Sequence, residues 1–276
     1  MSILIEYYTL SNGYKMPKLG FGTYKLRDGE EAYQAVLYAL EVGYRHFDSA
    51  IIYQNEKSVG KAIKDSNIPR EEIFITSKLP PHIKNKKSAK RMFERTLANL
   101  GVDYLDAYII NAPGPFDDLD GDYDEGNVEV YQFLEELYKD ELVGAIGVSQ
   151  FEIKHLQNIM DHCDVVPHIN QISYFIGHRQ EELVAFCGDN NIQIQAFSPL
   201  AKGYLSHPTI QEMAEKYQVS IPVLALSYDI QKGVAPIPKS SRKSHILSNT
   251  KLDILIDEKD IALLDQIKDD PRKYDD

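Results

Sequence analysis

Eight short runs rich in β-branched and aromatic residues recur along the chain, with stretches of helical periodicity between them. The runs are KLGFGT from Lys18, YRHFDS from Tyr44, IFITSK from Ile73, LDAYIIN from Leu105, VGAIGVS from Val143, HINQISY from His168, IQIQAFS from Ile192 and VAPIPKS from Val234. Near-continuous apolar runs suit strands buried on both faces, as in a parallel sheet. Between them Ala89, Met92, Phe93, Thr96, Leu97 and Leu100 step by three and four, as do Val130, Phe133, Leu134 and Leu137. Each set makes one apolar stripe for packing on a sheet. Eight strand–helix units predict an α/β fold, a (β/α)8 TIM barrel. An open doubly wound sheet competes, but it usually has fewer strands in this length. Ahead of the first run, Asn12-Gly13 lies between two apolar patches in YYTLSNGYKMP. That pair predicts a β-hairpin with a type I′ turn, capping the bottom of the barrel.

With 276 residues, 43% of them apolar, the chain can build one large core. No linker or low-complexity tract divides it, so residues 1–276 are read as a single domain. A formal net charge of -12 repels phosphodiester backbones and anionic lipid, which argues against nucleic acid and membrane surfaces as partners. The apolar runs are too short to span a bilayer, and MSILIEYYTL lacks the basic start of a secretory signal. Two scattered cysteines, Cys163 and Cys187, fit a reducing compartment, so the cytoplasm is the expected location.

In a parallel barrel, chemistry sits where strands end. Asp48 ends the second run, Lys78 the third, Asn111 the fourth, Ser149 the fifth and Ser198 the seventh. Asn170 and Gln171 lie in the sixth, and Lys239 and Ser240 close the eighth. Each is read as aimed at the barrel mouth, with Tyr53 five residues beyond Asp48. A buried Lys and Asp should pair, since either alone carries a large desolvation cost. A phenol beside that ammonium should have its pKa lowered, which would suit it to proton transfer near neutral pH.

The ordered motifs resemble the aldo-keto reductase family, from the Asn-Gly hairpin to at least Asn249. LGFGTY at 19–24, FDSAIIYQNE at 47–56, ITSKL at 75–79, GVSQF at 147–151, NQISY at 170–174, AFSPL at 196–200 and IPKS at 237–240 carry the resemblance. It implies an NADPH-dependent oxidoreductase that reduces aldehydes and ketones, with Tyr53 as proton donor, Lys78 tuning it, Asp48 holding Lys78 and Asn111 placing the carbonyl oxygen. It also implies cofactor contacts from Gly22, Thr23, Tyr24 and Asp48. Ser149 and Gln171 would hydrogen-bond the nicotinamide carboxamide, Phe197 would stack on the nicotinamide face, and Gln150, Ser198 and Leu200 would be further cofactor contacts. Lys239, Ser240, Arg242, His245 and Asn249 would hold the adenosine phosphate. Tyr24, Ala112 and Phe116 are expected to line the substrate pocket, and Tyr174 and Phe175 are read as further aromatic lining. No G-x-G-x-x-G opens a helix after a strand, so a Rossmann cofactor site is not expected. A monomer acting on a small carbonyl compound, with no metal, is the expected form.

Three departures from the family pattern matter. Asn111-Ala112 stands where the family usually has His-Trp; an Asn amide can donate the same hydrogen bond but cannot titrate. Ala112 in place of the large ring should leave a roomier pocket. His245 stands for the usual phosphate-binding Arg, yet Lys239, Arg242 and Lys243 still form a basic cluster, favouring NADPH with NADH possible. The acidic loop with Asp118, Asp120, Asp122, Asp124 and Glu129 loosely echoes calcium-loop spacing, but Tyr123 occupies the glycine position, so it reads as a solvated rim that disfavours anionic substrates. The tail after Lys251, ending PRKYDD, is short and suggests an open site. The rival function is an NADPH-binding barrel that acts as a sensor or partner subunit, and Asn111 is the feature that favours it.

Overall fold

The computed structural model describes residues 2–119, 121–203 and 205–268. Asp120 and the PRKYDD tail therefore lie outside the described residues. The chain opens with β1 (Tyr7–Thr9) and β2 (Lys15–Pro17), then runs β3 (Phe21–Gly22), α1 (Glu30–Glu41), β4 (His46–Asp48), α2 (Glu56–Asp65), β5 (Phe74–Leu79) and α3 (Lys86–Leu100). It continues β6 (Leu105–Ile110), α4 (Asp124–Lys139), β7 (Val143–Ser149), α5 (Ile153–His162), β8 (Ile169–Ser173), α6 (Glu181–Asp189) and β9 (Gln193–Phe197). Next come α7 (Pro208–Lys216), α8 (Ile221–Gln231), β10 (Ala235–Pro236), α9 (Lys243–Ser248) and α10 (Glu258–Leu264). Strands β3 to β10 form one eight-stranded parallel sheet in sequence order, so every expected strand is present.

The two ends of that sheet meet. Gly20 N donates to Pro236 O and Gly22 N to Pro238 O, both at 3.0 Å. Glycine makes this approach possible, because a Cβ on Gly22 would sit 2.8 Å from the Ile237 carbonyl oxygen. β10 is short because Pro236 and Pro238 lack a ladder N–H; between them Ile237 N still donates to Ala196 O at 3.0 Å.

Helices cover the outer face for the reason the periodicity gives. α3 starts at Asn85, whose side chain accepts from Ser88 N at 2.9 Å, and stops at Gly101 with φ 67°. It buries Ala89, Phe93, Thr96 and Leu100. α4 buries Val130, Phe133, Leu134 and Leu137.

The N-terminal hairpin is present, with Tyr7 opposite Pro17 and Thr9 opposite Lys15. Its turn differs from the expectation. Only Gly13 takes a positive φ, 85°, whereas a type I′ turn needs Asn12 there too. Leu10 and Tyr14 pair instead through Leu10 N to Tyr14 O at 2.9 Å, leaving a three-residue loop that ends on the glycine. Leu10 and Met16 cluster with Phe74, Ala107, Ala145, Ile169 and Ala235, residues at or near the strand starts. The hairpin thus seals the N-terminal end and leaves the C-terminal end for chemistry.

α8 is buried over the seven residues Val223 to Asp229, and neither Asp229 oxygen has a partner. Burial holds this carboxyl well above the usual carboxylate range. A raised folded-state pKa leaves stability untouched below the unfolded pKa and erodes it as pH rises, while only the unfolded chain ionises. Asp229→Asn is therefore expected to raise the melting temperature by about 2–5 °C at pH 8 and by less near pH 4, read by calorimetry at both pH values. An equal shift at both pH values would contradict this origin.

Candidate active site

Lys78 lies in β5, one residue from its end, and is almost fully buried. Its ammonium donates to Asp48 Oδ1 at 2.6 Å and to Ser49 O at 3.0 Å, and lies 3.3 Å from Tyr53 Oη. Asp48 ends β4, and register places it beside Gly22 of β3 and Thr76 of β5. Tyr53 closes a 3-10 turn, Ile51–Tyr53, after which Gln54 takes a left-handed φ of 60°. Asn55 fixes that turn to the first loop, with Nδ2 donating to Thr23 O at 2.8 Å and Leu26 O at 2.9 Å while Ser49 Oγ donates to its Oδ1. Sequence reasoning missed Asn55, although its place two residues after Tyr53 was a usable signal. The Tyr24 ring tilts against Tyr53 at 5.0 Å between centroids.

The charges differ from expectation in one respect. Burial pushes the Tyr53 phenol above its ordinary pKa; Lys78 pulls it down, but Asp48 adds to the rise. The lowered phenol predicted from the Lys78 contact is thus corrected, because desolvation outweighs the single cation. Burial also pulls Lys78 down, yet Asp48 and Tyr53 together hold it above the ordinary lysine range. The phenol therefore keeps its proton through neutral pH, and the Lys78 ammonium stands where it can stabilise the phenolate once that proton is given up.

Asn111 follows β6 and is buried; its Nδ2 has no partner. Its backbone carbonyl accepts from Gln150 Nε2 at 3.2 Å, and Gln150 itself takes a φ of 60°. A second support was not anticipated. Lys84 Nζ donates to Pro113 O at 2.7 Å and Asn127 Oδ1 at 2.5 Å, and Asn127 Nδ2 donates to Pro113 O at 2.9 Å, pinning the segment just after Asn111. Burial pulls Lys84 down to about 8. A buried amide donor without a partner is costly, and a hydrogen-bond acceptor that reached it would relieve that cost.

Ser149 pairs in register with Gln171, and both are buried. Gln171 Nε2 donates to Asp48 Oδ2 at 2.7 Å and Gln195 Oε1 at 2.9 Å. Both amide protons are thereby used, so Gln171 offers Oε1, an acceptor, and Ser149 offers a hydroxyl. That donor–acceptor set fits a nicotinamide carboxamide. Phe197 ends β9 half-buried, Ser198 turns the chain with φ 51°, and Leu200 is half-buried just beyond. Gly22 and Thr23 are buried at the end of β3. Across the sheet's meeting ends, Lys239, Arg242 and His245 are exposed, while Ser240 and Asn249 are buried. Ser240 Oγ accepts from Arg242 N at 3.0 Å, setting the turn into α9. Lys243 instead lies over the Tyr38 ring of α1 at 4.8 Å. Exposed cations around this turn fit a phosphate.

Other residues fall elsewhere than expected. Asn170 neighbours Gln171 along β8 and so faces the other way; its Nδ2 donates to Phe151 O at 2.9 Å, toward the helical layer and not the mouth. Ala112 has no accessible surface, so it is not a wall of an open pocket. Tyr174 and Phe175 are core residues, whereas Tyr24 and Phe116 are more than half exposed. The acidic loop spends its groups on local structure: Asp118 accepts from Tyr123 Oη, Asp122 from Asp124 N and Glu129 from Lys86 N.

The description Aldo/keto reductase family matches residues 18–269. The 9,11-endoperoxide prostaglandin H2 reductase of Trypanosoma cruzi is 36% identical over 269 residues, covering 96% of this chain and 92% of that protein. The glyoxal reductase of Bacillus subtilis is 36% identical over 265 residues, covering 95% and 93%. Among solved structures, the Bombyx mori aldo-keto reductase in complex with NADP superposes with a TM-score of 0.86 at 31% identity, covering 95% of this chain and 92% of that one.

Proposed function

This chain belongs to the aldo/keto reductase family, and from that membership we propose how its residues reduce a carbonyl group. The enzyme is an NADPH-dependent oxidoreductase acting on aldehydes and ketones. The observation that carries the residue roles is the buried Lys78 Nζ, held by the buried Asp48 Oδ1 at 2.6 Å and 3.3 Å from Oη of the half-buried Tyr53. The assembled triad favours catalysis over the sensor reading, since a binding module has no use for it.

Bound NADPH supplies hydride to the carbonyl carbon. The chain does the rest. Asn111 Nδ2 donates to the substrate oxygen and orients it. Tyr53 gives its phenolic proton to that oxygen as negative charge develops there. Lys78 stabilises the phenolate left behind, and Asp48 keeps Lys78 in place and charged. Ser149 and Gln171 orient the carboxamide, Phe197 packs on the ring, and Lys239, Ser240 and Arg242 hold the adenosine phosphate. The sheet whose ends meet through Gly20 and Gly22 is read as the closed (β/α)8 barrel in one domain, which puts these strand ends around one mouth.

Small neutral aldehydes and α-dicarbonyls are the proposed substrates, in keeping with the glyoxal reductase relative and with an acidic rim that repels anions. No helix among the described residues is long and apolar enough to cross a membrane; a cytoplasmic monomer is proposed, consistent with two free cysteines. The test is NADPH consumption against neutral aldehydes, dicarbonyls and sugar acids, run on wild type and on Asn111→His. Neutral carbonyls should lead the panel, and Asn111→His should raise their turnover by about two- to tenfold by adding a titrating donor. A large fall in that variant would mean that the Asn amide has its own adapted role; sugar acids leading the panel would sink the charge argument.

A further inference from the structure

Below the catalytic triad, a line of buried polar groups runs down the sheet interior to its floor. Gln171, Gln195 and His46 are all essentially without exposed surface. Gln171 Nε2 bonds Asp48 Oδ2 at 2.7 Å and Gln195 Oε1 at 2.9 Å. Gln195 Nε2 faces Met16 Sδ at 3.1 Å and His46 Nε2 at 3.4 Å. His46 Nδ1 faces Pro17 O at 3.4 Å, and Thr76 Oγ1 lies 3.4 Å from His46 Nε2.

The two ends set the direction of every bond between them. Pro17 O can only accept, so His46 Nδ1 carries the proton and Nε2 presents a lone pair. Gln195 must therefore turn its amino group toward His46 and its oxygen toward Gln171. The Asp48 carboxylate also only accepts, so Gln171 must turn its amino group toward it. Both constraints give Gln171 the same orientation, with Oε1 left for a nicotinamide carboxamide. Burial agrees with this assignment, pulling the His46 imidazole down to about 4 and keeping it neutral.

We propose that Gln195, anchored by the Nδ1–H tautomer of His46, is a positioning residue that fixes the amide orientation of Gln171 and so couples the barrel floor to Asp48 and the cofactor site. The inference rests on the reductase reading for its functional consequence, but its geometry can be tested without substrate.

The first measurement is a long-range 1H–15N correlation on the cofactor-free protein, with His46 assigned through His46→Gln. A neutral His46 protonated on Nδ1 is expected; an Nε2–H tautomer or an imidazolium would overturn the proposal. The second is NADPH affinity by calorimetry. Gln195→Leu removes one of the two acceptors, so the Gln171 amide is held by Asp48 alone and its Oε1 is less firmly placed; NADPH should bind about tenfold more weakly, the cost of one lost hydrogen bond. Gln195→Glu keeps an oxygen for Gln171 and should stay within about threefold of wild type, while its second oxygen draws a proton onto the His46 pair, visible in the same spectrum. Wild-type affinity in Gln195→Leu, or equal weakening in both variants, would overturn the proposal. Should Gln195→Leu fold poorly, the tautomer and Gln195→Glu still decide it. A wild-type enzyme that bound NADPH but reduced no carbonyl would sink the reductase reading alone.

Discussion

Tyr53→Phe is expected to lower turnover by about 10²–10⁴-fold, the usual contribution of a positioned general acid, while leaving NADPH affinity within a few-fold. The substitution removes one oxygen, 3.3 Å from Lys78 Nζ, and keeps the ring against Tyr24. Binding groups elsewhere in the mouth are untouched, so the loss should fall on kcat and not on KM. The pH profile carries the sign of the raised phenol. An acid must hold its proton to act, and burial pushes Tyr53 above its ordinary pKa. The reduction rate should therefore stay flat through neutral pH and fall only in alkaline solution. Turnover above a tenth of wild type in Tyr53→Phe would remove Tyr53 from the role of proton donor.

Asp48→Asn is expected to cost about 3–5 kcal/mol of stability together with most of the activity, because it leaves a buried cation without its counter-charge. Lys78 and Asp48 are both nearly inaccessible and 2.6 Å apart. Asp48 is also the first of the groups that offset the burial cost of the Lys78 ammonium, ahead of Tyr53. Without it, Lys78 should lose its proton more readily and stop supporting the phenolate. Urea unfolding should show the midpoint falling, and the double variant Asp48→Asn/Lys78→Met should recover much of the stability without recovering turnover. If the single variant unfolded at the wild-type midpoint, the pair would not be the buried, energetically coupled unit that the geometry describes.

The proposed site groups were legible because strand ends are legible. Asp48, Lys78, Asn111 and Ser149 each follow an apolar run, and a parallel sheet sends such residues to one end. Asn170 shows the limit of that rule: one step along β8 from Gln171, it faces the helices, and only strand alternation in place decides which neighbour enters the mouth. Ala112 shows another limit, since being next to Asn111 in sequence did not give it any open surface. The hairpin was readable from Asn12-Gly13, but its turn was not, because loop length and the pairing of Leu10 with Tyr14 override the dipeptide preference.

Local pattern was enough for the eight-strand rhythm, the hairpin, the residue types at the strand ends and the family resemblance. Those follow from local periodicity and from chemistry that must appear in order along the chain. Tertiary structure alone decided the protonation balance at Tyr53, the orphaned carboxyl of Asp229, the Lys84 support behind Asn111 and the directed line from Pro17 through His46, Gln195 and Gln171 to Asp48. Burial and hydrogen-bond direction are properties of groups brought together across the sheet from distant parts of the chain. Gln195 and Asp48 are 147 positions apart in the sequence, and nothing between them says that both accept a hydrogen bond from the same Gln171 amide.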